Sequence, residues 1–300
     1  MQPFTVSNDL LHEPSALRDR AARDGYLFMK GFVNQDDILE TRRDMARLLL
    51  ECGWIAPGTD LLEAITHRPA AIHGDEEHQP VYDRIQLLES FHALAHDQAV
   101  MDLMTTLLGS DAMLHPANIA RVIFPSATEH TTPAHQDFFH IQGNPDVWTA
   151  WIPLGACPQS HGGLSVLAGS HKFGILPVAP SLGAGGVKTL TQGVEGEWVT
   201  SPFEMGDALF FHSHTVHRGL PNRSGDRLRL SVDYRYQRTT EPIVDYVLVP
   251  HGTQQTWEEI YRDWKSDKYQ YFWKAHDLTP VPRVPITVVD EETGEPLRQQ

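Results

Sequence analysis

From about residue 117 onward the chain breaks into short β-rich runs separated by turn clusters, and this pattern limits the fold more than any other feature. The runs are 119–124, 147–153, 163–167, 207–212 and 227–237. Their spacing and turn residues predict a mainly β structure, an antiparallel sandwich or barrel. The preceding part reads as helix-rich. Residues 36–52 place Ile38, Arg42, Met45 and Leu49 at helical spacing, and 90–108 do the same with Leu94, Val100, Leu103, Met104 and Leu107. Gly53 and Gly109 supply the C-terminal stops. Residues 55–80 read as a long loop and 182–196 as a glycine-rich excursion from the sheet. An aromatic cluster, including Trp257, Tyr261, Trp264 and Trp273, falls on a predicted helix, and the tail after Leu278 reads as extended. The chain is therefore expected to form one unit, 1–300. Its parts are a helix-rich 1–115, a sheet core 116–240 and an aromatic extension 241–300.

Within the β region, His135-Gln136-Asp137 is the segment with most chemistry. On an extended strand residues i and i+2 share a face, so H-x-D aims an imidazole and a carboxylate at one point. A second His from a neighbouring strand would complete a facial triad with open positions, the arrangement of non-heme Fe(II) oxygenases. His212, His214 and His217 compete for that third place. Further on, residues 227–235 alternate strictly between polar and apolar. This is either a half-exposed strand with a charged outer face, or a strand that points Arg227, Arg229 and Ser231 into a barrel. A buried Arg must be paired, and its planar fork suits a carboxylate better than Lys would.

A formal charge of -15 argues against nucleic acid and against an anionic membrane surface. No run approaches a membrane span, and two cysteines make neither a disulfide scaffold nor a metal knuckle. The expected setting is cytoplasmic, with a small-molecule substrate and room for a homo-oligomer through the aromatic cluster.

Several segments, in order, resemble the phytanoyl-CoA dioxygenase family of Fe(II)/2-oxoglutarate-dependent oxygenases over roughly residues 15 to 240. They are 133–137, the Thr- and Trp-bearing run 148–154, the specific segment 162–172 with its Gly-Ser-His-Lys, and 206–224. The resemblance implies a double-stranded β-helix (jelly roll, cupin-like) flanked by helices. It implies Fe(II) held by His135, Asp137 and His217, because the family's distal His stands five residues before an Asn, here Asn222. It also implies an Arg for the far carboxylate of 2-oxoglutarate. Arg227 lies ten and Arg229 twelve residues after His217; the R-x-S pair Arg229–Ser231 favours Arg229, and Thr149 is a further candidate donor to the co-substrate. Halogenating relatives lack the carboxylate ligand, so the presence of Asp137 implies oxygen chemistry. The expected reaction hydroxylates a C–H bond of a small metabolite with O2 and converts 2-oxoglutarate to succinate. The alternatives are a non-catalytic jelly-roll binding protein and a cupin-like metal hydrolase or isomerase.

Overall fold

The computed structural model describes residues 1–72, 74–125, 127–183 and 185–297. In chain order the first half carries α1 (Pro14–Asp24), β1 (Tyr26–Met29), α2 (Gln35–Glu51), α3 (His78–Gln86), α4 (Glu89–Ala93), α5 (Gln98–Leu108), β2 (Ala112–Leu114), β3 (Ile119–Ile123) and α6 (Phe138–Ile141). The second half carries β4 (Trp148–Pro153), β5 (Leu164–Leu167), β6 (Val178–Pro180), β7 (Val187–Thr189), β8 (Trp198–Val199), β9 (Ala208–His212), β10 (His217–Gly219), β11 (Arg229–Arg238), β12 (Ile243–Val244), α7 (Trp257–Tyr261) and β13 (Pro280–Val281).

A major sheet runs β1-β9-β4-β11-β2, with β3 also paired to β11, and a minor sheet runs β10-β5-β8. All of these pairings are antiparallel. One face of the major sheet packs on the helices: Leu230, Val232 and Tyr234 of β11 meet Leu17, Met45, Phe91 and Leu103. Its other face meets the minor sheet, where Trp151, Leu209 and Phe211 touch Val166 and Val199. Two sheets closed over a shared interior, with helices outside, form the jelly roll. Burying both faces of β11 settles the choice left open by its alternation. Nine of its ten residues are buried, so its polar face is interior.

The helix at 36–52 forms, shifted by one residue, with the Asn34 side chain accepting from the amides of Asp36 and Asp37. The single helix expected at 90–108 is instead α4, a 3-10 turn and α5. The Asp97 side chain caps Val100, and a good capping residue inside an apolar periodicity starts a new helix. The helix-rich N-terminal part also donates β1 to the edge of the major sheet. The loop 55–80 includes the start of α3, the excursion 182–196 includes β7, and the tail pairs as β13 with β12. The aromatic cluster lies partly on the short α7 and packs, with Ile243, Val247 and Trp273, as its own buried core.

Candidate metal centre and its cavity

His135 and His217 are directly opposite residues on antiparallel chains. The His135 amide donates to the His217 carbonyl at 2.9 Å, and the His217 amide donates to the His135 carbonyl at 3.0 Å. Their rings therefore stand side by side, centroids 4.1 Å apart. Asp137 is not on a strand. The chain turns after the bridge, and Asp137 (φ -60, ψ -29) leads into α6. The i,i+2 strand geometry is thus replaced by a bridge followed by a helical turn, which still swings the carboxylate onto the histidines. Asp137 Oδ1 lies 3.6 Å from His135 Nε2 and 3.7 Å from His217 Nε2. All three residues are buried, and among the described residues they form the one cluster with metal-ligand spacing.

Hydrogen bonding prepares each group as a ligand. His135 Nδ1 bonds the Pro133 carbonyl at 2.8 Å and His217 Nδ1 the Thr215 carbonyl at 3.0 Å. A carbonyl only accepts, so each Nδ1 carries the proton and each Nε2 keeps its lone pair for the centre. Burial pushes His217 down to about 3, aided by its neighbour His135, so this imidazole is neutral at pH 7. Burial would raise the Asp137 carboxyl, but the Arg235 guanidinium against it outweighs this and holds it well below the usual carboxylate range. Arg235 Nε and Nη2 donate to Oδ2 at 3.2 and 3.1 Å. The Thr149 hydroxyl donates to the same oxygen at 2.6 Å. The hydroxyl's single proton thus goes to Asp137 in this structure, where the sequence pointed it at the co-substrate.

The motif residues beyond the triad act as supports. Gln136 donates to the Gly174 and His214 carbonyls and accepts from the Leu176 amide, which locks the H-x-D segment. In the glycine-rich segment 162–172, Ser170 Oγ accepts from the amide of Val216, the residue before His217. Gly162 has φ +69, and a Cβ there would lie 2.2 Å from the Leu220 carbonyl, so only glycine allows this approach. Asn222 donates to the carbonyls of Ile123 and Arg227, fixing the loop that leads into β11. His212 and His214 stand apart from the triad. His212 Nδ1 accepts from the His214 amide, and the His214 ring meets Phe138 edge-on.

The two arginines offered by the sequence separate. Arg227 is half-buried and ion-paired with Glu63 of the 55–80 loop, a carboxylate partner that Arg229 lacks among the described residues. Arg229 is buried on the interior face, its guanidinium 5.5 Å from the Trp151 ring. Its Nη1 makes a long contact of 3.5 Å to Ser231 Oγ, and its Nε is buried without a partner. Among the described residues no carboxylate pairs with it, and a buried guanidinium of this kind has the chemistry to receive an anion. Two imidazoles with Nε2 turned to the centre, one carboxylate and this buried Arg fit a divalent iron and a dicarboxylate co-substrate.

A cavity of about 460 Å³ opens beside the triad and reaches His135 and Asp137. The loop 55–80 lends it Ala71, Ile72 and His78, and the 182–196 segment lends Gly183 and Gly185. Phe138, Phe139 and the tryptophans of the aromatic cluster do not line it. Sequence reasoning missed Arg121, Arg235, Tyr246 and Arg283 in its wall. Arg235 alone had a signal, sharing the parity of Arg229 and Ser231 along one strand.

The sequence profile described as phytanoyl-CoA dioxygenase (PhyH) matches residues 21–230. The chain is 29% identical to the 1-deoxypentalenic acid 11-beta-hydroxylase of Streptomyces arenae, over 74% of this chain and 82% of that one. It is 27% identical to the peroxisomal phytanoyl-CoA dioxygenase of Rattus norvegicus, over 77% of this chain and 70% of that one. Among solved structures it is similar to the epimerase SnoN in complex with Fe3+, alpha ketoglutarate and nogalamycin RO. The TM-score there is 0.56 at 23% identity, covering 77% of this chain and 86% of the other, and the shared feature is the fold.

Proposed function

This chain belongs to the phytanoyl-CoA dioxygenase family, and we propose that His135, Asp137 and His217 hold its ferrous ion while Arg229 holds 2-oxoglutarate. It is an Fe(II)/2-oxoglutarate-dependent oxygenase. Iron and co-substrate, when bound, supply the activation of O2 that converts a C–H bond to C–OH with release of succinate and CO2. The residues of the chain do the rest. The histidines present Nε2 lone pairs fixed by carbonyls, and Asp137 presents Oδ1 while Thr149 and Arg235 retain Oδ2. Arg229 and Ser231 receive the far carboxylate of 2-oxoglutarate and set its direction along the barrel. Apolar walls such as Trp54, Ile85 and Phe124 exclude water beside the reacting carbon.

The substrate in this reading is a free small organic molecule that is hydroxylated, as the name of the Streptomyces arenae relative says of that protein. The chain acts as a single oxygenase unit, since β1 completes the major sheet and the C-terminal segment lines the cavity. Both cysteines are free, which suits a reducing cytosol. The observation that supports the reading most is the convergence of three buried ligand atoms inside a jelly roll.

The test is succinate formation from 2-oxoglutarate after anaerobic Fe(II) loading and admission of air. The protein should need both metal and 2-oxoglutarate. His135→Ala and Asp137→Ala should each lower turnover by about 100-fold or more while far-ultraviolet circular dichroism is kept. Turnover surviving both changes would overturn the ligand set. Metal-dependent chemistry indifferent to 2-oxoglutarate would favour a hydrolase or isomerase instead.

A further inference from the structure

The outer oxygen of Asp137 is gripped by a fixed cation. Arg235 on β11 and Thr149 on β4 are directly opposite residues of an antiparallel pair, so their side chains share a face and reach one point. Both end on Oδ2. Thr149 Oγ1 donates to it at 2.6 Å, and Arg235 Nε and Nη2 donate at 3.2 and 3.1 Å. All three residues are buried, Arg235 with 4% of its surface exposed. The backbone behind the guanidinium is tied as well, since the His115 amide, just past β2, donates to the Arg235 carbonyl at 2.7 Å.

The buried charges around the centre give this grip an electrostatic consequence. Asp137 and Arg235 cancel each other. Asp233, on the same face of β11, is cancelled by Arg121 at 2.6 Å. Arg229, farther along that face, adds positive charge and no negative. A metal ion held by His135, Asp137 and His217 therefore meets no net negative charge from these side chains, although one of its ligands is a carboxylate. Fe(III) carries one positive charge more than Fe(II), so a nearby cation repels it by one further unit-charge interaction. Burial of the guanidinium keeps salt and water from screening that repulsion. The hydrogen bonds to Oδ2 act in the same sense, because they draw electron density away from the ligating carboxylate.

We propose that Arg235 is a positioning residue that biases the iron of this centre toward the ferrous state, through a buried positive charge pinned on the outer oxygen of a metal ligand. The inference rests on the iron reading of the centre and adds the oxidation state that the site prefers. An oxygenase of this class works from Fe(II), and a ferric site is idle until it is reduced. Arg235 resists that loss while the site waits for its co-substrate. The role belongs to the charge more than to the hydrogen bonds, which makes the two separable by substitution. Lys keeps the charge with a poorer fork, and Gln keeps a donor without the charge.

Potentiometric titration of the iron-loaded protein tests this, without 2-oxoglutarate and with the electron paramagnetic resonance of Fe(III) as the signal. In Arg235→Gln the preference for Fe(II) over Fe(III) should fall about tenfold or more, a drop of about 59 mV in midpoint for a one-electron couple. Arg235→Lys should stay within about threefold of the unaltered protein, because the charge remains. Thr149→Val loses one donor and no charge, and should move the midpoint less than Arg235→Gln does. If Arg235→Gln loses its fold by far-ultraviolet circular dichroism, Arg235→Met takes its place with the same expectation. A midpoint that is unmoved or raised in the neutral variant, or that drops as far in Arg235→Lys, would overturn the proposal. A prior titration of Fe(II) into the unaltered protein keeps the two ideas apart. No uptake there would sink the iron reading, whereas uptake with an unmoved midpoint in the neutral variant would sink the role of Arg235 alone.

Discussion

The two oxygens of Asp137 have different surroundings and so different parts to play. Oδ2 receives three donors, from Thr149 and twice from Arg235, while Oδ1 faces the two imidazoles. With Oδ2 saturated, the carboxylate is left one oxygen for a metal. Arg229 differs from Arg235 in having no carboxylate partner among the described residues, and on the proposed reading it is the one of the two left to receive the co-substrate. Arg229→Lys should raise the KM for 2-oxoglutarate about tenfold or more, because an ammonium cannot copy the fork. Arg227→Ala should change it by about twofold or less, since its ion pair with Glu63 is partly exposed. Steady-state kinetics on the two variants checks both, and the reverse ranking would move the co-substrate site.

At the scale of elements, the C-terminal segment docks through aromatic rings on buried histidines. His92 of α4 lies 5.3 Å from the Trp264 ring and 6.1 Å from Trp257, and Trp264 Nε1 donates to the Leu87 carbonyl. Burial pushes His92 down to about 4, and burial likewise holds His115 at about 4, behind β2 and bonded to Gln237. Unfolding releases both to the ordinary value of about 6.5. Between these limits the unfolded chain binds more protons, so the stability present above pH ~6.5 is lost as pH falls toward ~4. Each histidine contributes roughly 3 kcal/mol over the full window. The melting temperature should therefore drop between pH 7 and pH 5, with loss of near-ultraviolet circular dichroism from the tryptophans. A melting temperature unchanged across that interval would contradict neutral burial of these two rings.

For the whole molecule, a formal charge of -15 works against compactness while leaving the fold itself unspecified. Most of that charge is on the surface, where salt screens it over about 10 Å at 0.1 M. Raising ionic strength from about 10 mM to about 150 mM should increase the melting temperature by a few degrees, the opposite of a protein held by surface ion pairs. Scanning calorimetry in sodium chloride decides it, and a fall would show that pairs such as Arg227–Glu63 outweigh the net repulsion.

Local rules made the antiparallel β pattern, the capped helix at 36–52 and the H-x-D pair legible, because each depends on neighbours a few residues apart in the chain. The distal His needed the family resemblance, since His212, His214 and His217 are equivalent by composition and differ only in where β10 places them. Tertiary structure alone decided the rest. The Asp137–Arg235 pair joins residues on separate elements, and the interior direction of β11's polar face exists only once both of its faces are covered. The same holds for Arg283, placed beside the cavity by a two-bond clamp from Gln142 across the fold. Such contacts come from packing at long separation along the chain, for which no local periodicity carries a signal.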